Sequence, residues 1–142
     1  MEKLVELRIP NILGSEKEAI EKAVAVAREM GFSHDRVEDL KTAVAEACIN
    51  AIEHGNKFDV NTMVGITLAS DKSALEVTVH DEGDGIKPEN IPKERTNPKG
   101  LPQRRGYGIF LIKNLVNEMS FASRPGNGND VKMIIHLENT MI

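Results

Sequence analysis

Cysteine is nearly missing from this chain: one residue, Cys48, in 142, so no intrachain disulfide can form and cysteine-based zinc chemistry is excluded. Its place among the apolar positions of a helical pattern is that of a small core residue rather than a reactive thiol. Long hydrophobic runs are also lacking, and none approaches the roughly 18 residues that cross a bilayer as a helix. The N-terminal MEKLVELRIP alternates instead of setting a basic region ahead of an apolar block, unlike a secretory signal. The expectation is a cytoplasmic protein without membrane contact. Nor is positive charge in excess: 18 Lys and Arg against 22 Asp and Glu leave a formal net charge of −4. That balance argues against nucleic acid as a general partner, because binding a phosphate backbone requires a concentrated basic face.

What is present fits a globular chain, with 40% apolar and 28% charged residues. At this length a fold can bury roughly two thirds of its unfolded surface, so one domain over residues 1–142 with one core is expected.

Hydrophobic spacing supplies the elements. KLVELRI places Leu4, Leu7 and Ile9 among charged residues, an edge strand ending at Pro10. Ser15 followed by Glu18 spells a capping box, and Ile20, Val24, Ala27 and Met30 recur at helical spacing until Gly31. Ser33 caps a second helix whose apolar positions run from Val37 through Leu40, Val44 and Ala47 to Ile52, with Gly55 as its left-handed stop. TMVGITLAS and ALEVTVHD, joined by the turn DKS, form a hairpin. Residues 87–105 show no period and contain four of the six prolines and six basic against two acidic residues: a long, basic loop. A third helix follows RGYG, with Ile109, Ile112 and Leu115 on one face, and a strand pair, MSFASR and VKMIIHL, closes the chain around PGNGND. This order predicts an α/β (α+β) two-layer sandwich, three helices covering one face of a mixed, mainly antiparallel sheet.

Three stretches carry possible chemistry. At about 100° per residue, EACINAIEHGN sets Glu46, Asn50 and His54 on a polar ridge flanking the apolar stripe of the second helix. Such a ridge equally suits a solvated helix face. HDEGDGI ends a strand with Asp81, Gly83 and Gly85 spaced DxGxG: glycines admit a planar ligand closely, and a carboxylate accepts hydrogen bonds from an exocyclic amine. A plain tight turn is the alternative, whereas a helix-loop-helix calcium loop would need a longer acidic series. RRGYGIFLI places Gly106 and Gly108 at the start of an amphipathic helix, where backbone N–H groups and the helix dipole attract anions. It is neither a dinucleotide fingerprint nor a P-loop, since the third glycine position is Leu111 and no GK[ST] follows. A basic loop leading into that turn suits a lid over a polyphosphate.

Taken in order, EACINAIEHGN, DEGDGI and RGYGIFLIKNLVNEM resemble the N, G1 and G2 boxes of the GHKL (Bergerat) superfamily of ATP-binding domains, which includes gyrase, histidine kinases and MutL. More narrowly, the chain is similar to the small bacterial anti-sigma-factor serine/threonine kinases. The boxes span residues 46–119, about half the chain.

The resemblance implies ATP and Mg²⁺ as ligands. It assigns Asn50 to Mg²⁺, Glu46 to the general base, and Asp81 to the adenine amino group, with Gly83 and Gly85 shaping that pocket. Gly106, Tyr107 and Gly108 would offer backbone N–H groups to the phosphates, Arg105 would face the γ-phosphate, residues 87–105 would form the ATP lid, and His54 receives no role. It further implies phosphorylation of a small anti-sigma-factor antagonist, capture of a sigma factor, and a homodimer in which the first strand and helix are candidates for the interface. A nucleotide-gated binding module without phosphotransfer is the alternative, distinguished from the kinase by Glu46. A histidine kinase would need a phosphoacceptor helical domain in cis, which is not expected in 142 residues that open on a strand.

Overall fold

The computed structural model describes residues 1–83, 107–124 and 128–137. Five strands, β1 (Glu2–Pro10), β2 (Met63–Ser70), β3 (Ala74–Asp81), β4 (Glu118–Arg124) and β5 (Gly128–His136), form one sheet in the order β1-β2-β3-β5-β4. All four pairings are antiparallel, so the sheet expected to be mixed is antiparallel throughout its described strands. β1 is an edge strand, as its imperfect alternation implies, and the pairing slips between Lys3 and Val5.

Three helices, α1 (Glu16–Met30), α2 (His34–Asn50) and α3 (Tyr107–Leu115), cover one face. Alternation along each strand sends Ile9, Val64, Ile66, Leu68, Leu75, Val77, Val79, Met133 and Ile135 toward them, where all are at most 1% exposed. The core lies between this sheet face and the stripe Leu40, Ala43, Val44 and Ala47 of α2, continued by Ile52 just beyond its end. α2 packs against both α1 and α3 and is the central helix. Arg36 anchors the far end of α3: its guanidinium donates to the Leu115 carbonyl (3.0 Å) and to Asn117 Oδ1 (2.7 Å) while pairing with Asp39. A cation at a helix C-terminus satisfies carbonyls that the helix leaves without partners.

The caps divide in an instructive way. Ser33 accepts the Arg36 N–H (3.2 Å) and starts α2 as expected, and Gly31 ends α1 at φ 94°. The capping box at Ser15 does not form, because Ser15 is already helical (φ −66°, ψ −22°) and its side chain caps nothing. Glu16 instead reaches back to the Gly14 N–H (2.6 Å), which places an acidic group in the first turn of α1 by a different route.

Candidate functional site

α2 does not end where its periodicity suggests. After Asn50 the chain widens into a π-helical turn, Ala51–Gly55, closed by the Asn56 N–H on the Ala51 carbonyl (2.7 Å). Such wide single turns concentrate at functional sites. The regular 100° step therefore holds from Glu46 to Asn50 but not on to His54, which is half-buried on the wide turn. The ridge that the sequence drew with three residues is, as a line along one helix, a pair.

That pair does not face open solvent. Asn50 is 7% exposed and Glu46 half-buried, because the first turn of α3 lies against them. A methyl group on Gly108 would fall 2.6 Å from Glu46 Oε2 and 2.9 Å from Asn50 Nδ2, well inside contact distance. Any larger residue at 108 would therefore push the Glu46 and Asn50 side-chain ends aside. Among the described residues, Asn50 Nδ2 is buried with no hydrogen-bond partner, an arrangement that costs on the order of 1–3 kcal/mol unless something else occupies the space. Since amide oxygen and nitrogen are distinguished only by their partners, rotation of this amide presents an oxygen to the same space.

The second cluster surrounds Asp81, the last residue of β3, which points inward and is 7% exposed. Its Oδ1 accepts the Gly83 N–H (2.9 Å) and the Asn129 side-chain amide (2.9 Å). Asn129 also donates to the Gly83 carbonyl (2.7 Å), so one β5 side chain fixes both the carboxylate and the glycine turn after it. Burial raises the Asp81 carboxyl above its ordinary value; the Asn129 and Gly83 hydrogen bonds and the nearby His80 oppose that shift, and Asp130 adds to it. With two donors on Oδ1, Oδ2 is left on the side of Gly55.

Gly55 has a different purpose from the one its sequence position suggests. It was expected to end α2 in the left-handed region, but the positive φ values fall on Lys57 (50°) and Phe58 (61°). What requires glycine at 55 is Asp81: a Cβ there would meet Asp81 Oδ2 at 2.2 Å. The same constraint recurs at Gly83, where a Cβ would collide with the Gly55 carbonyl oxygen at 1.5 Å. Asn56, 5% exposed, then ties this corner together, accepting the Glu82 N–H (2.7 Å) and donating to Asn11 Oδ1 (3.0 Å) and to the Met63 carbonyl (3.1 Å).

Of the residues singled out from the sequence, Glu46, Asn50 and Gly108 come together, and so do Asp81 and Gly83. Tyr107 contributes the backbone that opens α3. Gly85, Arg105, Gly106 and the lid expected over 87–105 lie outside the described residues. Asn129 and Asn56 were missed. Alternation extended backward from VKMIIHL would have turned Asn129 inward, but nothing local pairs it with Asp81, 48 residues away. The depression on the opposite sheet face, lined by Glu6, Arg8, Thr67, Thr78 and His80 around Gly65, is separate from both clusters.

The family model described as a histidine kinase-like ATPase domain matches residues 9–135. The chain belongs to this family. Among curated relatives, it is 36% identical over 106 residues to the serine-protein kinase RsbW of Bacillus subtilis (strain 168), covering 71% of this chain and 66% of that protein. The chain therefore spans just under two thirds of the length of that relative. A solved structure of the RsbU and RsbW domains of a Mycobacterium tuberculosis protein superposes with a TM-score of 0.62 at 20% identity, over 94% of this chain and 33% of that one. The mycobacterial sensor histidine kinase MprB superposes at 0.58 and 18% identity, over 93% and 97% of the two chains. At these identities the superpositions speak for the fold, and they agree with the sandwich described above. As a member of an ATPase domain family, this chain is an ATP-using domain.

Proposed function

We propose that this chain is an ATP-dependent protein serine kinase that also acts as an anti-sigma factor, phosphorylating a small anti-sigma-factor antagonist. The observation that carries the proposal is the buried, partnerless amide of Asn50 beside Glu46, with only the hydrogen of Gly108 between them and α3. A solvated helix face has no reason to hold an orphaned amide under the first turn of another helix. The likeness to a serine-protein kinase supports the same direction.

In this reading Asp81 accepts the adenine amino group on Oδ2 while Asn129 and the Gly83 N–H hold Oδ1, and Gly83 and Gly85 leave room for the ring. Asn50, with its amide turned so that the oxygen replaces the partnerless nitrogen, would hold Mg²⁺. The donor set suits that ion, which keeps its waters and takes most remaining ligands from phosphates. When bound, Mg²⁺ supplies neutralisation of phosphate charge. Glu46, one helical turn from Asn50, takes the proton from the attacking serine hydroxyl of the partner protein. Backbone N–H groups at the start of α3, from Tyr107 and Gly108, would face the phosphates, and the same reading assigns Gly106, Arg105 and a lid over 87–105, outside the described residues, to the rest of that contact.

The protein is cytoplasmic in this reading and works as a homodimer, with β1 and α1 as candidates for the interface; it holds a sigma factor or its antagonist according to the nucleotide. Among the described residues no helix is long and apolar enough to cross a membrane.

The test is incubation with Mg²⁺, radiolabelled ATP and the antagonist encoded beside it. Labelled phosphate is expected on a serine of the antagonist. Nucleotide binding without transfer would reject the kinase and leave a nucleotide-gated binding module.

A further inference from the structure

The residues behind the Asp81 cluster show a second layer of support. β3 and β5 pair with Asp81 opposite Asn129 and, one rung earlier, His80 opposite Asp130. Because strand side chains alternate between faces, Asp81 and Asn129 meet on the helix side, whereas His80 and Asp130 meet on the outer side. There His80 Nδ1 is hydrogen-bonded to Asp130 Oδ1.

This is the end of the sheet, where a ladder ordinarily frays. Asp81 is the last residue of β3 and Gly128 the first of β5. Gly128 is held at φ 89° with its Cα packed against the Asp81 carbonyl, where a Cβ would lie at 1.8 Å from the oxygen. On its other side β3 is tied to β2 through Glu82, which accepts the Met63 N–H (2.6 Å), while Gly65 opposite His80 brings no side chain to the outer face. Between β3 and β5 the last two rungs thus add side-chain bridges to the ladder, Asn129 from inside and the His80–Asp130 pair from outside.

We propose that His80 and Asp130 are positioning residues for the adenine carboxylate, holding the β3–β5 junction so that Asp81 and Asn129 stay in hydrogen-bonding register. This rests on the reading of Asp81 as the adenine acceptor. Neither residue touches the nucleotide; they act through the strands. The pair is partly open to water, with side-chain exposures of 36% and 15%, so its coupling is moderate rather than large.

The experiment measures ADP and GDP affinities by calorimetry, and the melting temperature without nucleotide, for His80→Ala, Asp130→Asn, the double variant and the exchanged pair His80→Asp/Asp130→His. Each single change is expected to weaken ADP roughly 3- to 10-fold, a range typical of residues that interact in a double-mutant cycle, with the double no worse than the weaker single. GDP affinity should change less, so the ADP preference shrinks, and the exchanged pair should recover ADP binding to within about twofold of the parent. Asp130→Asn keeps the shape of the side chain and tests the charge alone if His80→Ala folds poorly. Single variants that bind ADP as the parent does, losses that add in the double variant, or ADP and GDP weakened equally in step with the melting temperature would overturn the proposal. Asp81→Asn measured alongside separates the two levels. If it binds ADP normally, the adenine assignment itself is wrong; if it loses ADP while the His80 and Asp130 variants do not, only the positioning role is rejected.

Discussion

Gly55 and Asp81 meet with no room for a methyl group between them, since a Cβ on Gly55 would sit 2.2 Å from Asp81 Oδ2 and 2.3 Å from its Cγ. The wide turn that ends α2 and the end of β3 are therefore packed backbone against carboxylate. Gly55→Ala is informative because two effects oppose each other. Its backbone is not in the left-handed region, so helix propensity alone would favour alanine by up to about 1 kcal/mol. The clash outweighs this: overpacking a filled site costs about 1–3 kcal/mol, and the expected result is net destabilisation in urea together with weakened ADP binding. Gly65→Ala, where the added Cβ makes only an ordinary 3.7 Å contact with His80, should change stability by less than about 0.5 kcal/mol. Equal effects of the two substitutions would show that the approach of Gly55 to Asp81 is not the constraint.

The raised Asp81 carboxyl predicts a pH dependence of binding and of stability with opposite signs. Burial is the main cause, and the native state therefore holds the Asp81 proton more tightly than the unfolded chain does. Its contribution to stability is fully present below the unfolded value, near pH 4, and is lost as pH rises through the higher native value. With Asp81 as the proposed adenine acceptor, nucleotide binding runs the other way, because an ionised carboxylate accepts more strongly from an exocyclic amine than a protonated one does. ADP affinity should thus fall on acidification before an ordinary aspartate would begin to protonate, and Asp81→Asn should flatten that part of the profile. A parent profile that stays level down to pH 4 would contradict the assignment of Asp81.

Much of this was legible in the sequence, and the failures share a cause. Period and punctuation are local, so the hairpin across DKS, the Gly31 stop and the Ser33 cap follow from neighbouring residues alone. The two glycines that matter most at the site do not. Gly55 reads as a helix stop because glycine usually supplies positive φ, yet here it supplies space for a residue 26 positions later in the chain. The π-helical turn is equally hidden, since a five-residue widening scarcely disturbs a 3.6-residue period. Asn129 is visible only once strand register is known, because its partner is chosen by the pairing of β3 with β5. Glu46 and Asn50 were legible as a pair of residues but not as a site. What separates them from a solvated face is their burial under Gly108, which is a property of helix packing.

Cys48 should be chemically silent in the native protein. The thiol is wholly buried, and burial, with the charge of Glu16 adding to it, pushes its pKa up to about 12. Only the thiolate is the reactive species, so its fraction near neutral pH is negligible. A disulfide reagent such as Ellman's should label no cysteine in native protein and one per chain in denaturant, at a native-state rate set by unfolding. Rapid native labelling would place Cys48 outside the core and would undermine the packing of α2 described above.

The sharpest separation of structure from catalysis is at Gly108. An added Cβ meets the far end of the Glu46 carboxylate at 2.6 Å and the Asn50 amide at 2.9 Å, groups that can move aside, unlike the backbone and Asp81 atoms that confront Gly55 and Gly83. Alanine within α3 also gains up to about 1 kcal/mol of helix propensity, so Gly108→Ala should leave stability within about 1 kcal/mol of the parent. Displaced by even a fraction of an ångström, however, the proposed base Glu46 and the proposed metal ligand Asn50 would lose the alignment on which phosphoryl transfer depends, and misplacement of about 1 Å can cost roughly 100-fold. The expected outcome is a loss of phosphotransfer of at least about 10-fold, with ADP affinity in the absence of Mg²⁺ changed less than about threefold, because the adenine cluster at Asp81 is built from other elements. Glu46→Gln should mimic the catalytic loss without touching Gly108. Normal phosphotransfer in both variants would remove Glu46 from the reaction and with it the kinase mechanism proposed for this site.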